Sequence, residues 1–168
     1  HTPGMKVVIP SSPYEAKGLL ISALRDPDPV IFMEPKRIYR SIREEVPEQE
    51  YTLPLEQVRV ALAGNDVTLI AWGSMLHPTL HAAALMGEKG VSCEVLDVRT
   101  LSPLDTEGII ESVKKTKRAV IVQEAPRTCG VAAEISPRIS ERALLYLEAP
   151  VERVTGFDTV MPLPKMEK

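Results

Sequence analysis

Cysteine is nearly absent. The 168 residues hold two, Cys93 and Cys129, far apart and without CxxC spacing. That excludes a disulfide or zinc framework and favours a reducing compartment, the cytoplasm or, in a eukaryote, the mitochondrial matrix. No apolar run is long enough to span a bilayer, and no signal-peptide pattern precedes the first candidate strand. No basic stripe stands out and the formal net charge is -3, which argues against nucleic acid as a partner. GxGxxG and P-loop motifs are missing too, so a nucleotide site has no sequence support. What remains, 44% hydrophobic and 26% charged, is the composition of a soluble globular chain of one or two small domains. The sequence starts at His1 rather than methionine and runs quickly into structured-looking sequence, which suggests a fragment or a processed chain.

The first forty residues read as strand, helix, strand. Lys6–Ile9 is a β-branched run ended by Pro10. Ser12, Pro13 and Glu15 are helix-start signals: an N-cap, a proline at the first helical position and the closing residue of a capping box. Ala16, Leu19, Leu20, Ala23 and Leu24 then fall on one helical face. Asp26-Pro27-Asp28-Pro29 stops the helix, because proline has no amide donor and restricts the residue before it. Val30–Met33 is the returning strand of a right-handed βαβ unit. Two strands are too few to stand alone as a sheet, so upstream partner strands are expected beside them.

Between about Pro35 and Asn65 charged residues and prolines recur without a period, which predicts a linker laid over the surface. Alternation then resumes. Strands are expected at Val67–Ala71, Val91–Val98, Ala119–Val122 and Val151–Val154. Helices are expected at Pro78–Lys89, closed by Gly90; at Thr106–Lys115, capped by Asp105 with Lys114 and Lys115 at its cationic end; and at Val131–Leu147, with a fault at Pro137. Strands alternating with helices over short loops predict an α/β, doubly wound, mostly parallel sheet. The domain division this gives is 1–40, a 41–65 linker and 66–168.

Several stretches together carry a resemblance: His1–Val8, Pro13–Leu20, Arg25–Phe32, Glu34-Pro35-Lys36, Asp97–Asp105, Glu124–Thr128, and Glu148-Ala149-Pro150 leading to Arg153–Gly156. In order and spacing they resemble the C-terminal half of the β subunit of pyruvate or branched-chain 2-oxo acid dehydrogenase. The resemblance implies that residues 1–40 are the last βαβ of a thiamine-pyrimidine-binding domain and that 66–168 form a transketolase C-terminal-like domain. It implies an enzyme that decarboxylates a 2-oxo acid with thiamine diphosphate and magnesium, then passes the acyl group to lipoyl-lysine. Its partners would be an α subunit, a second β subunit (together a heterotetramer) and the subunit-binding domain of the acyltransferase core. The family's cofactor-activating glutamate and catalytic histidine fall upstream of this sequence, and His1 belongs to a separate His-x-Pro-Gly motif. No catalytic or cofactor-binding residue is therefore expected here. The family also adds a strand-helix tail beyond Lys168. A transketolase or deoxyxylulose-phosphate synthase is the rival, disfavoured by Glu34-Pro35-Lys36 and Arg127-Thr128; a stand-alone non-catalytic assembly module is the other reading.

The resemblance also implies sites. The turn after the first helix, with the Ala23 carbonyl, Asp26 and Asp28, would supply part of a structural potassium cage, oxygen ligands suiting a hard cation; the ordinary reading is a solvated helix stop. Glu148, Arg153 and Asp158 would meet the basic acyltransferase domain, acidic groups steering it, against a plain surface reading. His77 and His81 are four apart, but Pro78 puts His77 outside the helix and no third metal ligand is evident. Glu124, Arg127, Thr128 and Gly130, between a strand and a helix, are read as domain packing, and Cys129 as a small packing residue.

Overall fold

A computed structural model describes residues 2–160; His1, read above as part of the His-x-Pro-Gly motif, lies outside them. Two sheets organise the chain. The larger has five strands in the order β3(Arg59–Leu62), β5(Cys93–Asp97), β4(Val67–Ala71), β7(Ala119–Pro126), β8(Glu152–Gly156). The four strands β5, β4, β7 and β8 run parallel, and β3 lies antiparallel on the edge. The chain goes from β4 to β5 through α2(Leu76–Gly87), then back across β4 to β7 through α3(Thr106–Thr116), and on to β8 through α4(Ala132–Ala143). Reversing direction while keeping right-handed crossovers puts α2 on one face and α3 and α4 on the other.

The cores follow that division. Ile70, Leu96 and Ile121 of the strands pack with Ile109, Val113, Ile135 and Ile139 of α3 and α4. Leu69 and Val95, one residue away and therefore on the opposite face, pack with Leu76 and Ala83 of α2. Strands covered on both sides read as continuous apolar runs, and the five residues of β5 are all buried.

The smaller sheet orders β2(Val30–Phe32), β1(Lys6–Val8) and β6(Thr100–Ser102). Its βαβ unit is the expected one, with α1 at Pro13–Arg25 and β1 parallel to β2. A third strand joins it that the sequence does not announce. It comes from downstream, as β6 pairs antiparallel with β1, because the chain leaves β5 through a tight turn at Arg99, which holds φ +53°. Val8 and Leu19 make its small core with Leu55, and Leu53 packs against it.

The segment expected to be aperiodic thus does two things. Its residues 53 and 55 cover α1, and residues 59–62 form β3. Lys17 donates to the Pro47, Glu48 and Gln49 carbonyls, and Tyr51 stacks on Tyr14. Helix α2 begins two residues earlier than expected and so includes His77: a proline in the first turn forfeits no intrahelical bond, since that amide has no partner there anyway. It ends at cap Glu88, with Gly90 beyond it at φ +80°. Helix α3 is capped as read, Asp105 accepting from the Gly108 amide at 2.9 Å. Helix α4 passes through Pro137 and gives way to a 3-10 turn at Leu144–Tyr146. No helix among the described residues is long and apolar enough to cross a membrane.

Candidate functional site

Open α/β sheets take ligands beyond the carboxyl ends of their strands, where neighbouring crossovers diverge. Here that point lies between β4 and β7, and it is occupied by the protein's own chain. Gly73, at φ +53°, follows β4 so closely under the first segment that a Cβ would meet the Ile9 side chain at 2.8 Å and Pro35 at 3.3 Å. Ser74 donates to Glu124 at the end of β7 (2.8 Å), and His77 Nε2 lies 2.7 Å from the Ser11 carbonyl. The crevice is a seat for residues 9–11 and 35.

Beneath that seat is a buried ionic cluster. Glu15, 2% exposed, lies 3.2 Å from Arg99 and 2.9 Å from Arg59. Asp97, fully buried at the end of β5, accepts from Ser11 Oγ (2.5 Å) and Arg59 (3.1 Å). Arg99 donates twice to the Gln57 carbonyl, at 3.1 and 2.7 Å, and its own carbonyl accepts from the Ile9 amide at 2.8 Å. Burial pushes the Glu15 carboxyl up in spite of Arg99 and Arg59. It pushes Asp97 up too, in spite of Ser11 and Arg59. Two raised carboxyls in a site often mark acid–base chemistry. These two face arginines inside the fold, which is the arrangement of a structural ion network.

The three elements of the expected potassium cage are near one another, but a lysine is the cation among them. Lys6 Nζ lies 2.7 Å from Asp26 and 3.4 Å from Asp28, the Asp28 amide donates to Asp26 at 2.9 Å, and the Ala23 carbonyl accepts from the Asp26 amide at 3.3 Å. The Lys6 hydrogen bond, with the Asp28 amide, holds Asp26 below the usual carboxylate range, and Asp26 in turn raises Lys6. Lys6 thus engages both of the carboxylates that the resemblance assigns to potassium. Among the described residues no group of three or more His, Cys, Asp or Glu could hold a metal ion. His77 is inside α2, contrary to expectation, and is engaged with Ser11.

Glu148, Arg153 and Asp158 do not form one surface. Glu148 pairs with Lys117 (3.2 Å) and Arg118 (2.5 Å), just before β7 begins. Lys117, then Arg118, hold its carboxyl low. Asp158 sits past the other end of the strand pair, where it accepts from the Thr128 amide (2.9 Å) and hydroxyl (2.7 Å). Eight residues of β7 separate the two, roughly 25 Å at ~3.3 Å per residue. Arg153 exchanges contacts with Arg127, which donates to the Arg153 carbonyl at 3.1 Å. Each acid has cations beside it, Lys117 and Arg118 at Glu148 and Arg127 near Asp158.

The two Thr128 bonds are what hold the Asp158 carboxyl low, the amide first and the hydroxyl second. A depressed folded-state pKa stabilises above the unfolded value of about 3.9, and that contribution is lost as pH falls through the folded value. Thr128→Ala removes the hydroxyl bond and is expected to raise the Asp158 pKa in an NMR titration while the amide bond keeps it below 3.9. An unmoved pKa would show that the hydroxyl contributes nothing.

Sequence reasoning missed the functions of Gln123 and Arg99. Gln123 is 2% exposed on β7. Its carbonyl oxygen accepts from the Ala132 amide at 2.8 Å, and its Nε2 donates to Pro126 (2.7 Å) and Ala125 (3.2 Å). Helix α4 has no capping side chain of its own, so β7 supplies one. A glutamine inside an apolar run, just ahead of a helix without a cap residue, was the available signal.

Comparison with known proteins finds relatives along nearly the whole chain. Residues 56–168 match the family described as transketolase, C-terminal domain, and residues 1–41 the family described as transketolase, pyrimidine binding domain. The mitochondrial 2-oxoisovalerate dehydrogenase subunit beta of Dictyostelium discoideum is 56% identical over 164 residues, 97% of this chain and 44% of that protein. The pyruvate dehydrogenase E1 component subunit beta of Bacillus subtilis is 54% identical over 165 residues, 98% of this chain and 51% of that protein. A solved structure titled as a split gene transketolase, inactive beta4 tetramer, superposes with TM-score 0.77 at 26% identity, over 94% of this chain and 50% of its own. The chain spans about half the length of the curated relatives it matches.

Proposed function

This chain belongs to the transketolase C-terminal domain family, and from that premise we propose that it is the scaffold half of the β subunit of a 2-oxo acid dehydrogenase. The observation that carries the proposal is 54–56% identity to two such subunits across 97–98% of the chain. The whole protein would be an oxidoreductase that decarboxylates pyruvate or a branched-chain 2-oxo acid. It would do so with thiamine diphosphate and magnesium, beside an α subunit and a second β subunit, and deliver the acyl group to lipoyl-lysine. Its compartment would be the cytoplasm or the mitochondrial matrix. Residues 1–40 would be the end of the pyrimidine-binding domain, 41–65 the connection and 66–168 the C-terminal domain.

The contribution of these residues is assembly. The crevice between β4 and β7 is covered by Ile9 and Pro35, and the cofactor would lie between the pyrimidine-binding domain and the α subunit. Surfaces that fit partners are available instead. Leu144 and Leu145 are 63% and 96% exposed at one end of the sheet, and Phe157 is 88% exposed at the other. Apolar side chains of this size left in water favour protein contacts. Docking of the lipoyl acyltransferase core at the Glu148, Arg153 and Asp158 surfaces belongs to this proposal. There, apolar contact would add to acidic steering.

The test is to mix the purified 168-residue chain with the α subunit, thiamine diphosphate, magnesium and a 2-oxo acid. Co-elution with the α subunit or the acyltransferase subunit-binding domain, without carbon dioxide release, is expected. Decarboxylation would overturn the assembly reading, and failure to bind either partner would overturn it from the other side.

A further inference from the structure

The two sheets are joined in an uneven way. The small core of Val8, Leu19 and Leu55 shares no residue with either core of the large sheet. What crosses between them is mainly polar: the ionic cluster, the backbone around Arg99 and the His77 bond to the Ser11 carbonyl, with Ile9 and Pro35 resting on Gly73. Glu15 comes from α1, Arg59 from β3, Asp97 from the end of β5, and Arg99 from the turn that carries the chain from β5 into β6. Arg99 holds that turn at φ +53°, where a non-glycine side chain is strained by about 1–3 kcal/mol unless its surroundings hold it. Its surroundings do: Gln57, Glu15 and Ile9 all bond to it.

We propose that Glu15, Arg59, Asp97 and Arg99 form an internal latch that fixes the first segment, Lys6–Phe32, on the large sheet and can release it without unfolding that sheet. Glu15, Asp97 and Arg99 are buried and Arg59 reaches them from the rim, so removing one member leaves a buried charge unpaired. Asp97 Oδ1 and Thr100 Oγ1 are buried without hydrogen-bond partners, and Arg59 Nε, 2.9 Å from Glu15, forms an ion pair without a hydrogen bond, so the docked state carries polar groups that release would satisfy with water. The latch therefore separates two states, docked and released, with the five-stranded sheet common to both. The position of the pyrimidine-side segment is set by side chains of the other domain.

Native-state hydrogen exchange on the full 168-residue chain tests this, and it needs no catalytic activity. In Arg99→Met and in Glu15→Gln, the α1 amides of Leu19, Leu20 and Ala23 are expected to exchange on the order of a hundredfold faster. Those of Ile70 and Ile121 should stay within about tenfold of the parent chain. Equal acceleration in α1 and the large sheet would mean that the two unfold together and would overturn the latch, as would no acceleration anywhere. Arg99→Gly relieves the turn's strain but removes the guanidinium, so it should match Arg99→Met. Parent-like protection of α1 in the glycine variant would assign the docking to the backbone turn and also overturn the proposal. Should Arg99→Met fail to fold, Glu15→Gln is read by the same criteria.

Discussion

Gly64→Ala is expected to lower the thermal midpoint by roughly 6–12 °C, the equivalent of about 3 kcal/mol in a chain of this length. Gly64 is buried in the connection between β3 and β4. A Cβ there would stand under 3.0 Å from the Cys93 carbonyl carbon and oxygen and the Glu94 amide nitrogen. All three are backbone atoms of β5, the strand between β3 and β4, so neither side can yield as a flexible side chain would. Nor can the glycine back away, since the Asn65 and Asp66 amides donate to the Ser92 carbonyl at 3.1 and 2.8 Å, and the Ser92 amide donates to Asp66 at 2.7 Å. Moving this corner would displace β3 and with it Arg59. Gly87→Ala is the control: nothing lies within 4 Å of its added Cβ, so the midpoint should hold or rise slightly. Circular-dichroism melts of the two variants decide it, and an unchanged midpoint in Gly64→Ala would mean the approach is looser than described.

Legibility in the sequence divided along the range of the interaction. Features set within a few residues were readable: the Ser12 cap and Pro13 start of α1, the Asp105 cap of α3, and the apolar strands buried on both faces. Features set by distant partners were not. Glu15 was read as the closing half of a capping box. In the fold Ser12 accepts from the Glu15 amide, but the Glu15 carboxylate turns inward to Arg99, 84 residues away. Arg59 looked like one more charge in a linker, yet it lies on an edge strand whose partner, β5, supplies the Asp97 it pairs with. Arg99 carried no local sign that it would hold a left-handed turn, a conformation usually given to glycine. The site residues carried over from resemblance fared in the same way. Asp26 and Asp28 are where the turn pattern put them, but their cation is Lys6, 20 residues from Asp26. The charges around Glu148 were adjacent in sequence at Lys117 and Arg118, yet they meet it only because β7 and the chain entering β8 run side by side.

Gln123→Leu is expected to cost about 2–3 kcal/mol and to free the loop between β7 and α4. The Ala132 amide would lose the acceptor that caps α4, a loss of about 1 kcal/mol for an ordinary cap and more where the donor is left buried. Pro126 and Ala125 are exposed residues whose carbonyls can turn to water, so their share is small. Gly130 ties this to the Thr128–Asp158 contact. A Cβ on it would collide with the Gln123 amide, so the loop is shaped around that one side chain, and Thr128 with its bond to Asp158 hangs from the same loop. Faster exchange of the Thr128 amide should therefore accompany the lower melting point. A melting loss without it would separate the cap from the loop. Gln123→Glu sharpens the assignment. Ionised, the carboxylate keeps an acceptor for Ala132 but has no donor for Pro126, and it places a charge where the side chain is 2% exposed. Burial will raise its pKa, so the native state binds the proton more tightly than the unfolded chain and stability falls as pH rises through that window. Below it, the protonated acid has both a carbonyl oxygen for Ala132 and a hydroxyl for Pro126. Gln123→Glu should then recover toward the parent's stability on acidification while Gln123→Leu, with nothing to titrate, should not.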